Sequence, residues 1–142
     1  MSHSLGNNLF NEMKNWGFID HDNQFKKGLL MNDQGKRLLI KQVFPKRSPG
    51  LIDVYFQYAH VVTVNGYHKS DPAVVLGFDL KNQGIYPVLY RNDLLDHTIS
   101  VYQQGTQDED KAEWLLKFCT DWFGELNADD YDHLEQAHLK AG

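Results

Sequence analysis

From Gly28 onward the apolar residues of this chain recur at every second position, and that change of period limits the fold more than any other feature. Ile52, Val54, Phe56 and Tyr58 alternate with Asp53, Tyr55 and Gln57, and Val74, Leu76, Phe78 and Leu80 alternate with Val75, Gly77 and Asp79. Successive side chains of a strand point to opposite faces, so the even-numbered residues of both runs should face a core. Turn chemistry divides the runs. Asn32-Asp33-Gln34-Gly35 separates Leu29–Met31 from Lys36–Phe44 and predicts a hairpin, and Lys81-Asn82-Gln83-Gly84 predicts another leading into Ile85–Tyr90. Asn65-Gly66 and Ser70-Asp71-Pro72 predict a connection over 65–72. Pro45–Gly50 reads as a loop, with Leu51–Val64 as the longest strand-like stretch after it. Pro87 lacks a ladder donor, so its strand lies at an edge or carries a bulge. Arg91–Asp96 reads as a loop and Thr98–Tyr102 as a last strand.

At both ends the period is helical. Leu5, Leu9, Met13 and Trp16 share one face of a helix predicted over about 7–16, with Asn7 or Asn8 at its start and Gly17 past its end. Phe18 and Ile19 follow where apolar residues pack back on the last turn. Thr106 and Glu109 have capping-box spacing for a helix running to about Leu126. Ala112, Leu115, Cys119, Trp122 and Leu126 line its apolar side, and Asp108, Glu109 and Asp110 stand in its first turn, where they favour the helix dipole. Asn127 would cap a weaker helix over about 128–139, with Tyr131, Leu134 and His138 on one side. Strands in one block between helices give the α+β class: an antiparallel sheet of about five to six strands, with an N-terminal helix and one or two C-terminal helices packed on it. A chain of 142 residues with eight Phe, seven Tyr and three Trp can build one core, as a single globular domain over 1–142.

Composition removes several function classes. No apolar run approaches the ~18 residues that a membrane span needs. The opening Met1-Ser2-His3-Ser4-Leu5-Gly6-Asn7 has no basic region followed by an apolar one, so a cytoplasmic location is expected. Cys119 stands alone and can form neither an internal disulfide nor a Cys-rich zinc site. The net charge of −5 is unevenly spread. Residues 1–50 carry eight Lys or Arg against four acids, whereas residues 51–142 carry six against fifteen. Nucleic-acid binding is disfavoured on this balance, because phosphate contacts need a basic surface, although Lys26, Lys27, Lys36, Arg37, Lys46 and Arg47 form a local basic group. The charged ends either face each other or offer opposite potentials to a partner.

The phosphate loops, dinucleotide fingerprints, nucleophile elbows and zinc-helix motifs of the well-understood enzyme classes are all missing from the sequence. The best candidates for a polar site are His60, His68, Asp71, Asp96 and His97. A histidine beside a carboxylate can serve as general base, and a convergence of three histidines with a carboxylate can hold a divalent metal. Turn formation explains Asp71 and Asp96 as well, and a strand histidine such as His60 is more often structural. Asp129 and Asp130 precede His133 by helical spacing, as Glu135 precedes His138, so each set could co-ligate a metal from one helix face, a pattern that an ordinary solvated helix also shows. Cys119 reads as a buried thiol between Leu115 and Trp122. Tyr55, Tyr67, Tyr86, Tyr90 and Tyr102 include several out of phase with the core positions, and exposed tyrosines favour protein interfaces. With Arg91 and the acids Asp108, Asp110, Asp129 and Asp130, the tyrosines 55, 67, 86 and 90 form the expected binding set.

Between Tyr58 and Leu126 the chain carries Ala59-His60, Asn65-Gly66, Asp71-Pro72, Tyr86-Pro87-Val88-Leu89-Tyr90-Arg91-Asn92-Asp93-Leu94 and Val101-Tyr102, then a helix with Phe118 and Trp122-Phe123. In these short motifs, over about half its length, it resembles a family of small domains of no assigned activity carried on bacterial plasmids and integrated elements. The resemblance implies a bacterial origin, a mobile-element setting and a compact α+β domain, and it transfers no site residue. The reading that results is a small acidic accessory protein that binds a protein partner, with an immunity or anti-defence role by analogy. The alternative is a small hydrolase or metal-dependent enzyme built on the histidines and aspartates above. A homodimer through strand edges or helix faces is a further arrangement. No cofactor and no membrane contact are expected.

Overall fold

A computed structural model describes residues 2–44, 52–103 and 106–133. Helix α1 (Ser2–Asn15) is followed by strands β1 (Gly28–Met31), β2 (Arg37–Gln42), β3 (Val54–Val64), β4 (Tyr67–Asp79), β5 (Gly84–Asn92) and β6 (His97–Ser100). A small ribbon of β7 (Tyr102–Gln103) and β8 (Thr106–Gln107) leads into α2 (Glu109–Leu126). A 3-10 turn (Ala128–Asp130) and β9 (Asp132–His133) end the described chain. Among the described residues the sheet has seven strands in the order β6-β5-β4-β3-β2-β1-β9, with every neighbour antiparallel. The α+β class is therefore the observed one, with more strands than expected and one long C-terminal helix. No helix among the described residues is long and apolar enough to cross a membrane.

Each hairpin follows from its turn. Asn65 and Gly66 both have positive φ (52° and 83°), as a two-residue type I′ turn requires, and they join the long strands β3 and β4 directly. Asn32 accepts the backbone N–H groups of Gln34 and Lys36 through its side chain and closes β1 onto β2. Asp79 accepts from both the backbone and the side-chain amide of Asn82 at the β4–β5 turn, and those bonds hold its carboxyl below the usual range. Pro87 carries the expected bulge: Val75 pairs with Leu89 but Leu76 with Pro87, which leaves Val88 as the extra residue. The connection expected over 65–72 is instead mostly strand. β4 runs straight through it, absorbing Asp71 and the cis-linked Pro72 as a second irregularity opposite His60.

Both helices cover the same sheet face. Phe10 of α1 meets Phe78 edge-on, Phe123 of α2 meets Tyr58 with ring centroids 4.9 Å apart, and Tyr90 lies under Trp114 and Phe118. The even-numbered Phe56, Tyr58, Val74, Leu76 and Phe78 form the floor of this core, in agreement with the alternation. Phe18, placed past the end of α1 by the turn at Gly17, closes the aromatic cluster against Tyr58 and Phe123. The buried side of α2 comprises Ala112, Leu115, Leu116, Cys119 and Phe123, with Trp122 half-buried at its margin.

Two expectations about helix termini are corrected. Asp108, not Thr106, caps α2: its Oδ1 accepts the Lys111 N–H at 3.1 Å, while Thr106 belongs to β8. No helix begins at Asn127, because the chain makes one 3-10 turn and then joins the sheet edge as β9, pairing Leu30 with His133 and Met31 with Asp132. Lys26 explains this path. Its ammonium donates to the carbonyls of Ala128 and Tyr131 at 2.6 and 2.8 Å, binding the turn where a helix would have continued. Residues 134–139 of that expected helix, with Leu134, Glu135 and His138, and the loop at Pro45–Gly50 lie outside the described residues.

Candidate functional site

Of the polar residues singled out in the sequence, Asp71 and Arg91 meet at one structural junction. The Asn92 side chain donates to the Asp71 carboxylate at 2.7 Å and accepts the backbone N–H groups of Leu94 and Leu95. Asp93 takes the Ser70 N–H at 2.8 Å through one carboxylate oxygen and Arg91 Nε at 3.1 Å through the other. These bonds tie the irregular part of β4 to the turn after β5, so Asp71, Arg91 and Asp93 are held by backbone shaping. Asn92, buried and central, was not among the candidates. The signal for it was an asparagine two and three residues ahead of turn amides. Asp96 lies in that same turn at positive φ with its side chain exposed.

The three central histidines do not converge. Register places His60 opposite Leu38, on the helix-covered face, and its Nδ1 lies 3.1 Å from the Asp71 carbonyl. A carbonyl only accepts, so that bond puts the proton on Nδ1 and leaves Nε2 as the basic nitrogen. His68 is on the opposite face beside Thr63, at 3.4 Å. His97 stands on edge strand β6, its ring 5.9 Å from that of Tyr90. Among the described residues no group of three His, Cys, Asp or Glu side chains lies close enough together to hold a metal ion. Cys119 is fully buried, and burial pushes its thiol well up, as an inert core thiol requires.

The expected tyrosine surface is largely internal. Tyr55, Tyr90 and Tyr102 are buried, Tyr86 is half-buried and only Tyr67, at the hairpin tip, is widely exposed. Gly77 explains Tyr55. It stands between Tyr55 and Tyr86 in the sheet, and a Cβ added there would lie 2.9 Å from the Tyr55 ring and from the Ile52 side chain. The missing side chain is the space into which Tyr55 folds. Tyr102 packs near this pair, and burial, then the neighbouring Tyr55 and Tyr86, pushes its hydroxyl up to about 12. Of the expected acidic set, Asp108 is committed to capping α2, Asp110 is exposed in the first turn, and Asp130 is exposed in the 3-10 turn. Position 129 lies in that turn as well, so 129 and 130 do not share a helix face with His133.

Two of the concavities among the described residues bear on these candidates. A cleft of about 700 Å³ lies between the β1–β2 turn and the C-terminal end of α2, lined by His60, Trp122 and Glu125 with Asp33, Asp130 and Asp132. The second, of about 360 Å³, lies on the sheet face that neither helix covers. Its origin is a row of paired residues, Leu29–Leu39–Ala59–Ala73–Arg91, running across five strands. Two alanines at the centre make a trough, with leucines on one side and an arginine on the other. Arg37 and Lys41 flank Leu39 on β2 and point to the same face.

Compared with known proteins, the chain matches no family model, no curated protein and no solved structure.

Proposed function

We propose that this chain is a binding domain that captures a protein partner through the sheet face left open by its helices. The observation that carries the reading is the trough itself, an aliphatic and cationic surface in the middle of the sheet face that neither helix covers. Interfaces combine such an apolar centre with arginine and a polar rim. The division of His60, His68 and His97 between two faces and an edge supports binding over the hydrolase alternative. An accessory role on a bacterial mobile element accords with the sequence resemblance and belongs to the same proposal, as does a cytoplasmic location, expected from the opening residues.

The test compares the chain as bait with a variant carrying Leu39→Glu, after circular dichroism has established equal folding. A partner held by the first and lost by the second supports the reading. Equal retention by both baits moves the contact elsewhere and overturns it.

A further inference from the structure

We infer that the occupant of the open face is an acidic, partly aliphatic polypeptide surface, whose carboxylates pair with Arg37, Lys41 and Arg91 while its apolar side chains enter the alanine trough. This rests on the proposed binding role and names the partner's chemistry. The open face is cationic within an acidic protein, and so complements a carboxylate-bearing surface. The chain carries a net charge of −5, yet β1–β5 contain only Asp71 and Asp79 as carboxylates. Each is engaged by an asparagine, Asp71 by Asn92 and Asp79 by Asn82. Among the described residues neither Arg37 nor Lys41 has a carboxylate partner, and Arg37 spends one donor on Thr63 Oγ1 at 2.8 Å. Arg91 pairs with Asp93 in a partly exposed geometry that leaves its guanidinium at the rim.

Spacing makes these cations a frame. Arg37 and Lys41 are four residues apart on one strand, roughly 13 Å, and Arg91 lies three strands away, roughly 14 Å. Between them Leu39, Ala59 and Val61 line the concavity, with the buried Ala73 paired to Ala59, all without charge and without an aromatic ring, and Lys69 adds a further cation to the lining. A single-stranded nucleic acid on a sheet needs a row of aromatic side chains for successive bases to stack on, and this lining has a single ring, His68 at its margin. A carboxylate-bearing polypeptide needs only the cations and the aliphatic floor, both of which are present.

The probe is a synthetic helical peptide with a leucine stripe flanked by glutamates, titrated into the isotope-labelled full chain and followed by amide NMR. Saturable shifts centred on Leu39, Ala59, Val61 and Ala73 are expected, weakening with added salt. The double substitution Arg37→Glu and Lys41→Glu should weaken binding at least tenfold. Arg37→Gln with Lys41→Gln, which keeps side-chain bulk, should give an intermediate loss if the reversed variant folds poorly. Shifts confined to α2 or to the cleft at His60, or unchanged affinity in both variants, overturn the inference. Tighter binding of an oligothymidylate at the same amides overturns the acidic partner but leaves the open face as the binding surface. Concentration-dependent shifts of those amides without any probe would do the same, by assigning the face to a second copy of the chain.

Discussion

Asn92 donates its side-chain amide to the Asp71 carboxylate across 2.7 Å, and that bond joins the irregular middle of β4 to the turn that follows β5. The same side chain accepts two backbone N–H groups from Leu94 and Leu95. One buried asparagine thus satisfies a carboxylate and organises a turn. Removing a partner from groups held this way costs more than the bonds contribute net, because the remaining atoms lose solvent without regaining a donor or acceptor. Asn92→Ala should therefore destabilise the fold by about 2–4 kcal/mol. Urea denaturation measures it; a change below about 0.5 kcal/mol, the level of an ordinary surface substitution, would contradict the structural role assigned here.

Gly77 offers a second, sharper test. A methyl group there meets the Tyr55 ring and the Ile52 side chain at 2.9 Å, closer than packed carbons tolerate. Gly77→Ala should cost about 1–3 kcal/mol, the usual range for overpacking. Combining it with Tyr55→Ala removes the ring, so the two changes should be strongly non-additive in a double-mutant cycle. Additive losses would mean that Tyr55 does not occupy the space above the glycine.

These cases also explain which parts of the fold were legible in the sequence. Alternation in β3 and β4, the turn at Asn65-Gly66 and the bulge at Pro87 follow from local chemistry, and all three are present. The burial of Tyr55 is not legible in its own strand, because it depends on a glycine in the neighbouring strand and pairing between strands is invisible along either one. β9 was missed for a similar reason: the acids and histidines after Asn127 fit a solvated helix locally, whereas Lys26, 102 residues away from Ala128, binds the turn. The candidate histidines carried no register information. One strand's alternation assigns His60 to a face, but only the strand pairing shows that His68 lies on the other.

Lys26 should accordingly control the C-terminal segment. Its two carbonyl acceptors are partly buried, so Lys26→Met keeps the aliphatic stem, takes the ammonium from both carbonyls and leaves that of Ala128 with the Tyr131 N–H. Hydrogen exchange should speed up at the amides linking β9 to β1 and at Tyr131, while the β3–β4 amides keep their protection. Uniform acceleration across the sheet would mean that Lys26 supports the whole fold and not this segment.

Tyr58 gives the pH dependence its direction. Its hydroxyl is buried among Phe18, Phe56, Phe78 and Phe123 with no hydrogen-bond partner among the described residues, and burial, with Cys119 beside it, drives its ionisation far up. In the unfolded chain a cysteine ionises near ~8.5 and a tyrosine near ~10. Above those values the folded protein holds protons that the unfolded chain has lost, so stability is complete at lower pH and declines as pH rises. Denaturation midpoints should fall above about pH 9 as Cys119 contributes, and fall more steeply above about pH 10. Tyr58→Phe removes an unpaired polar atom and one of these protons. It should raise stability by about 1 kcal/mol at neutral pH and flatten the decline above about pH 10. A variant less stable than the parent at neutral pH would show that the Tyr58 hydroxyl has a partner, and an unchanged alkaline slope would remove Tyr58 from the group that sets it.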